Sequence, residues 1–469
     1  MKKTASLVTF GCQMNVHDTQ RMEELLRADG YELTDNPEHA DVVVLNTCSV
    51  REKAEQKLRS EAGRLKRLDG FLIITGCVAQ QEGEKLLKSM PYVDAVLGPD
   101  NLQDLPAILR DLEGGQPPIV RASFDTDAPQ FLTNQVLSSQ VATSAYVTTM
   151  KGCDERCSFC IVPYTRGPER YRAAAEIVQE VARLVAAGTR EIVLLGQTVN
   201  SYQDPTVAKD PDDLERSQFA ELLRRIAAEV PLLTRLRYTS PHPRHVTDAL
   251  VAAHSELPVL AAHVHLPVQS GNDRVLKRMI RRYTRAEYVT RARKLLAARE
   301  GMTLSTDVIV GFPGETEAEF RDTLSLIDEV GFAGVFAFKY SPRPYTPALK
   351  LQDDIPEEVK QERLLALFEL SEKQLRDRLA SLVGTRQRVL IEGPSRSNER
   401  RWTGRTTQNE IVHCEHIDGA GPAVVATVLI ERANKHSLEG VIESMDRAVK
   451  AEVHPTARRK VLPVVGADA

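Results

Sequence analysis

The run Lys151-Gly152-Cys153-Asp154-Glu155-Arg156-Cys157-Ser158-Phe159-Cys160 sets three cysteines in a C-x3-C-x2-C spacing. Three thiolates so placed grip one face of a cubane cluster and leave its fourth iron without a protein ligand. An iron with a vacant position can take a small molecule, and thiolates are the soft ligands that iron–sulfur clusters require. Zinc favours paired C-x2-C units with a fourth ligand, and disulfides fit poorly with a cytosolic-looking chain.

Downstream of this loop the chain repeats a strand–helix pattern. Strands are expected over 145–150, 191–195, 235–239, 262–266, 304–310 and 335–340, and helices over 174–187, 217–228, 247–255, 284–298 and 315–330. Six strand–helix units suggest an incomplete (β/α)6 barrel with the cysteine loop after its first strand. Barrel chemistry is done at the carboxyl ends of the strands, where Cys153, Cys157 and Cys160 would then lie.

Upstream, residues 114–144 are rich in Gly, Pro, Ser, Thr and Gln and read as a linker or a surface strap. Before it, Cys12, Cys48 and Cys77 each close an apolar run: Ser6-Leu7-Val8-Thr9-Phe10-Gly11-Cys12, Val42-Val43-Val44-Leu45-Asn46-Thr47-Cys48 and Phe71-Leu72-Ile73-Ile74-Thr75-Gly76-Cys77. Helical patterns over 18–29 and 51–68 separate these runs, with a short extra strand expected near 31–34. Alternating strands and helices imply a parallel sheet, whose ligands sit beyond the carboxyl ends of its strands. The three thiols therefore converge on one edge. One buried cysteine is usually inert, whereas three at equivalent strand ends point to a second cluster.

With 469 residues, 42% hydrophobic and 27% charged, the chain has the composition of a soluble protein of several domains. It has no 18-residue apolar run, and Met1-Lys2-Lys3 leads into a strand rather than a signal peptide, so a cytoplasmic protein without membrane partners is expected. The formal net charge of −4 argues weakly against nucleic-acid binding, but local fields matter more. Residues 272–300 hold ten Lys and Arg against three Asp and Glu, a local +7, and 386–405 hold six Arg against two Glu, a local +4. After a long helix over 355–382, short strands over 388–394, 402–406 and 424–430 suggest a small antiparallel barrel. Trp402 lies between Arg401 and Arg405, a setting that suits either base stacking or a small-barrel core. Six of the seven cysteines fall in the two triads, leaving Cys414 as a buried or incidental thiol.

The motif Thr9-Phe10-Gly11-Cys12-Gln13-Met14-Asn15, the later single cysteines and the C-x3-C-x2-C followed by Ile161-Val162-Pro163-Tyr164-Thr165-Arg166-Gly167-Pro168-Glu169-Arg170 resemble the radical S-adenosylmethionine (SAM) methylthiotransferases. Within them the chain is most similar to the branch acting on tRNA that carries an isopentenyl-type adenosine beside the anticodon. The likeness runs from Lys3 to about Arg447. It implies a multi-domain α/β protein: an N-terminal parallel α/β domain over 1–115, a linker over 116–144, a radical SAM core over 145–380, an RNA-binding TRAM barrel over 381–447 and a tail over 448–469.

The resemblance also implies two 4Fe-4S clusters, one on each triad, and SAM at the open iron of the cluster on Cys153, Cys157 and Cys160. One SAM would methylate a sulfur at the N-terminal cluster; another would yield the radical that removes hydrogen from C2 of the adenine. Candidate SAM contacts are Gln197, Asn200, Gln269 and Asp307, with Gly311 and Gly314 allowing close backbone approach at a helix start. His242, His245, His263 and His265 are expected to line the barrel mouth rather than hold a metal. Arg400, Arg401, Trp402 and Arg405 are the RNA-binding candidates. Partners are tRNA, a flavodoxin- or ferredoxin-type electron donor and a sulfur donor, and the protein is expected to be a monomer. Sister branches act on threonylcarbamoyladenosine in tRNA or on an aspartate of a ribosomal protein. A non-catalytic iron–sulfur RNA-binding protein is the reading from another class.

Overall fold

Val42-Val43-Val44-Leu45-Asn46-Thr47 is apolar on both faces for its first four residues, and all six are buried. Such a run suits an interior strand of a parallel sheet covered on both sides. In the computed structural model, which describes residues 2–49, 52–126, 129–132, 142–208, 217–395, 398–417 and 419–446, it is strand β3 of a six-stranded sheet. The other strands are β1 (Thr4–Phe10), β2 (Glu32–Leu33), β4 (Phe71–Gly76), β5 (Ala95–Leu97) and β6 (Ile119–Arg121). All pair in parallel, in the order β2-β1-β3-β4-β5-β6.

Side chains alternate between the faces as the strand period requires. Val42 and Val44 pack with Met22 and Leu26 of helix Gln13–Ala28 and with Ile108 and Leu109 of helix Leu105–Glu113. Val43 and Leu45 pack on the other face with Leu58 and Ala62 of helix Glu52–Arg64. Strands β5 and β6 were not expected. β6 lies inside the stretch read as a linker, so that stretch begins by adding an edge strand before it crosses to the next domain. The first helix also starts at Gln13, directly after Cys12, rather than near residue 18.

The central domain opens with β7 (Ser144–Thr148), followed by β8 (Met150–Lys151) and β9 (Arg170–Tyr171), an antiparallel pair that closes the base of the cysteine loop. Then come β10 (Glu191–Leu195), β11 (Arg235–Tyr238), β12 (His263–His265), β13 (Thr303–Val310) and β14 (Gly334–Lys339). They form two parallel three-stranded sheets, β11-β10-β7 and β12-β13-β14, joined by a parallel bridge between Leu236 and Leu260. This is the expected open barrel of six parallel strands, with strand bounds within two residues of expectation. Helices Ala174–Ala186, Phe219–Glu229, Asp248–Glu256, Arg285–Ala298 and Glu317–Val330 form its outer layer.

Helix Glu357–Ser381 packs on β14 and leads to a closed barrel of β15 (Arg386–Pro394), β16 (Arg401–Thr406), β17 (Ile411–Glu415), β18 (Val425–Ala433) and β19 (Leu438–Met445). Its core holds Val389, Ile391, Trp402, Val412, Cys414 and Ala426. β17 and β19 carry weaker apolar alternation and were not expected separately; β17 runs parallel to β19, which closes the barrel. The expected tail over 448–469 lies outside the described residues.

The turn after β16 docks on the floor of the central barrel, at the amino ends of its strands. Arg235 Nη2 donates to Arg405 O at 3.0 Å, Arg237 Nη2 to Thr406 O at 2.8 Å, and Ala262 N to Thr407 Oγ1 at 3.0 Å. Arg235 and Arg237 also pair with buried Glu191, at 3.3 and 2.8 Å. Replacing Arg237 with Met removes charged hydrogen bonds to this turn and should cost about 1–3 kcal/mol. Faster hydrogen exchange confined to residues 405–410 and the barrel floor is the expected readout.

Candidate metal centres

Strand register brings the first triad together. Phe10 pairs with Thr47 and Thr47 with Gly76, so Cys12, Cys48 and Cys77 follow three adjacent strands at one edge. The strand order reverses between β1 and β3, which makes the crevice beside Cys12 and Cys48 a topological switch point, the usual ligand site of such sheets. The crevice floor is rigid. Asn15 Nδ2 donates to Asn46 Oδ1 at 3.0 Å, Asn46 Nδ2 donates to Asn15 O at 2.9 Å, and Asn15 Oδ1 accepts from both N and Sγ of Cys12 at 3.3 Å. Gly76 has φ +92°, and a Cβ there would lie 2.4 Å from Thr47 O, so only glycine delivers Cys77 to this edge.

The second triad lies in the loop between β8 and β9. Gly152 has φ +80°, and a Cβ would meet Pro168 O at 1.9 Å. Its N–H donates to Gln197 Oε1 at 2.5 Å. Thr198 Oγ1 lies 3.0 Å from Cys153 Sγ, and Arg281 Nη1 donates to Cys157 Sγ at 3.3 Å. Ser158 stitches the loop to its surroundings: its N–H donates to Met279 O, its Oγ to Arg278 O, and its carbonyl accepts from Ala348 N.

Both triads suit a polynuclear cluster. Among the described residues the one set of three potential ligands whose atoms all lie within 4.8 Å of one another is Glu155, His242 and His245, so neither triad closes to that degree. A single zinc with bonds of about 2.3 Å would draw its sulfurs to within about 4 Å. A hydrogen bond from Cys48 carries the Cys12 pKa down to about 6 against the effect of burial, helped by Asn15 and Arg166. Burial pushes Cys153 up to about 12, and it raises Cys160 as well, with Cys157 and Cys153 adding like-charge repulsion. Thiolates in that second loop thus call for a cationic group between them.

One side chain joins the two centres. Arg166 follows the short helix Val162–Thr165 of the second loop and is 4% exposed. Its Nη2 reaches Asp18 Oδ2 at 2.7 Å, and its Nε donates to Cys77 Sγ at 3.3 Å. Beside it, Lys151 and Arg170 pair with Asp100 and Asp125. Arg166, Asp18, Arg281 and Asp100 were missed by sequence reasoning. Arg166 stood within a quoted motif, but nothing local said that it would reach a cysteine 89 positions away.

The SAM candidates divide. Gln197 Nε2 is buried without a protein partner. Asp307 is partly exposed with His265 Nε2 at 3.2 Å, and Gln269, at φ 74°, bridges to Val308. Asn200 differs from expectation: it is fully buried, and both ends of its amide bond the backbone of His242, so it holds a loop. Gly311 and Gly314 offer no open cradle. Their N–H groups go to Glu315 and Asp354, and a Cβ on Gly311 would meet Lys360 at 2.4 Å. The histidines split too. His263 and His265 bond Ser305 inside the barrel, whereas His245 bonds Glu155 at 2.6 Å with His242 beside it. Arg281, Arg244 and Arg282 surround that trio, a poor setting for a cation.

The RNA candidates on the C-terminal barrel are largely engaged. Trp402 is 8% exposed, lies in the barrel core and stacks on His416 with ring centroids 4.6 Å apart. Arg401 pairs with Glu439, and Arg405 pairs with Glu392 next to the floor contact. Arg400 is exposed.

Comparisons with known proteins agree with this layout. Profiles of the Uncharacterized protein family UPF0004, the Radical SAM superfamily and the TRAM domain match residues 4–98, 147–327 and 380–442. A tRNA-2-methylthio-N(6)-dimethylallyladenosine synthase from Sorangium cellulosum is 59% identical, with 99% of each chain covered. The chain belongs to that synthase family. Another such synthase, from Geobacter sulfurreducens, is 45% identical over 92% of this chain and 96% of its own. Among solved structures, the radical SAM methyltransferase TsrM from Kitasatospora setae superposes with a TM-score of 0.51 at 16% identity, covering 74% of each chain; this likeness shows the fold alone.

In this member of the synthase family, Arg166→Ala should leave buried Asp18 with only His17 beside it and destabilise the protein by about 3–5 kcal/mol. The Arg166→Ala, Asp18→Asn double variant should recover part of that loss in urea unfolding. A strictly additive outcome would remove the pair as the link between the centres.

Proposed function

We propose that this chain is a radical SAM methylthiotransferase that adds a methylthio group to C2 of N6-isopentenyladenosine at position 37, beside the anticodon, of tRNA. The observation that carries the reading is two cysteine triads, on different domains, tied across a buried arginine in a chain 59% identical to a named synthase of that kind. The radical SAM match supports a 4Fe-4S cluster and SAM at Cys153, Cys157 and Cys160. A second 4Fe-4S cluster on Cys12, Cys48 and Cys77 is part of the proposal. When bound, these groups would supply the electron that cleaves SAM and a site that holds the sulfur.

The chain's own contribution is to fix, seal and orient. Arg166 and Asp18 hold the two centres in one register, and the Asn15–Asn46 lock keeps the first crevice rigid. Gln197 offers an unpartnered amide donor beside the second loop, while Asp307 and Gln269 present polar groups at the mouth; these three are the proposed SAM contacts. The TRAM barrel supports a tRNA substrate. An electron donor of flavodoxin or ferredoxin type, a sulfur donor, a monomeric state and a cytoplasmic setting belong to the same proposal. Among the described residues no helix is long and apolar enough to cross a membrane. Domain bounds of 1–115, 116–144, 145–380, 381–447 and 448–469 accompany it.

Replacing Cys153, Cys157 and Cys160 with Ala should remove roughly half of the reconstituted iron and end SAM cleavage, because each triad holds one cluster of the same type. Replacing Cys12, Cys48 and Cys77 should leave SAM cleavage measurable but end product formation. The check is iron analysis alongside mass spectrometry of tRNA nucleosides. Product from the second variant, or a methylthio group found on protein or threonylcarbamoyladenosine instead, would overturn this reading.

A further inference from the structure

Two large aromatic rings stand in the open where the two domains meet. Tyr164 is 40% and Tyr345 is 54% exposed, with ring centroids 6.0 Å apart at an interplanar angle of 36°. Tyr164 belongs to the helix Val162–Thr165, between Cys160 and Arg166, so it stands in the stretch that joins one triad to the other. Tyr345 lies in the loop after β14. That loop is tied to the second triad by Ala348 N donating to Ser158 O at 2.8 Å, and to the N-terminal domain by Arg343 Nη1, 3.8 Å from Glu55 Oε1.

Neither ring belongs to a buried core cluster. The neighbouring core of Val275, Met279, Phe312, Tyr340 and Ala348 closes without them. Tyr345 also has φ 66°, a left-handed conformation that costs a bulky residue free energy and clusters at binding sites. The cysteine loop that carries Ser158 also has a cationic surface, since Arg156 lies in it and the charges of Arg244 and Arg282 act on its Glu155. Arg156, Arg244 and Arg282 are exposed, and Arg156 and Arg282 sit on left-handed backbone at φ 50° and 57°. Arg244 has one carboxylate near it, Glu155 at 3.7 Å; among the described residues Arg156 and Arg282 have no ion-pair partner. Exposed ring faces and exposed guanidinium groups on segments tied to one cysteine loop match the chemistry of single-stranded nucleic acid, in which bases stack and phosphates pair. The tryptophan of the C-terminal barrel cannot offer the same surface, because His416 already covers one of its faces.

We propose that Tyr164 and Tyr345 form the platform on which an unstacked loop base next to the reacting adenosine rests, with Arg156, Arg244 and Arg282 holding its phosphates. This rests on the tRNA reading and deepens it: base recognition lies at the barrel mouth, and the C-terminal barrel adds contacts elsewhere.

The test uses the full chain, reconstituted anaerobically, and a synthetic anticodon hairpin with N6-isopentenyladenosine and 2-aminopurine as its neighbour. The parent should bind it and quench the 2-aminopurine, since stacking quenches that fluorophore. Tyr164→Ala and Tyr345→Ala should each weaken binding by roughly tenfold and restore fluorescence, while the Phe variants keep both properties. Arg156→Gln, Arg244→Gln and Arg282→Gln together should make the salt dependence of affinity shallower by roughly two units in log–log slope. Should an Ala variant lose its unfolding midpoint, Tyr→Leu, which keeps bulk without a flat ring, makes the same comparison. Ala and Leu variants that bind and quench like the parent overturn the platform and leave the tRNA reading intact. A parent that neither binds the hairpin nor modifies tRNA overturns the reading itself.

Discussion

A guanidinium buried between two domains needs an anion to offset its lost hydration, and Arg166 finds it in Asp18 of the other domain. The same group donates to Cys77, so the ion pair that holds the domains together also touches a thiol of the first triad. Neither the α/β sheet nor the open barrel specifies how far apart their strand ends should stand. This pair does, with the Lys151–Asp100–Arg170–Asp125 network beside it as a second anchor. Each anchor takes its cations from the central domain and its carboxylates from the N-terminal part of the chain. In the proposed reaction, a sulfur held by one domain can meet a radical made in the other only if that separation is set.

The central barrel is used at both ends. Its mouth carries the second triad, the polar groups Gln197 and Asp307 and the exposed Tyr164–Tyr345 pair. Its floor carries Glu191, Arg235 and Arg237, which take the turn of the C-terminal barrel. An RNA long enough to touch both must therefore pass along the side of the molecule. Basic segment 272–300 divides along the same lines: Arg281 and Arg282 face the mouth, where Arg281 bonds Cys157, while Arg285 and Arg293 pair with Glu329 on the outer helices. Arg285 and Arg293 thus belong to an ordinary ion-paired outer face.

Several residues that look like ligand contacts in the linear chain turn out to be supports. Gly311 and Gly314 have the left-handed φ of a ligand-cradling loop, yet Lys360 and Arg278 crowd them and Glu315 and Asp354 accept their N–H groups. Asn200 spends both ends of its amide on one neighbouring backbone. A polar side chain near a strand end satisfies its hydrogen bonds with whatever comes closest, and only the folded neighbourhood says whether that is protein or ligand.

The sequence by itself determined the elements and brought out the two cysteine triads. Short continuous apolar runs, buried on both faces, set the strands, as in 191–195, which matched residue for residue; cysteines at the ends of three such runs had to converge because parallel strands share an edge. Short-range spacing settled the second triad. What only the tertiary structure decided were the pairings between distant polar groups: Arg166 with Asp18 and Cys77, the burial of Trp402 on His416, and the meeting of Tyr164 with Tyr345. Helix and strand periodicity records which face of an element is buried. It does not record which charge or ring will stand opposite, because that depends on how whole domains dock and on the cost of leaving a buried charge unpaired.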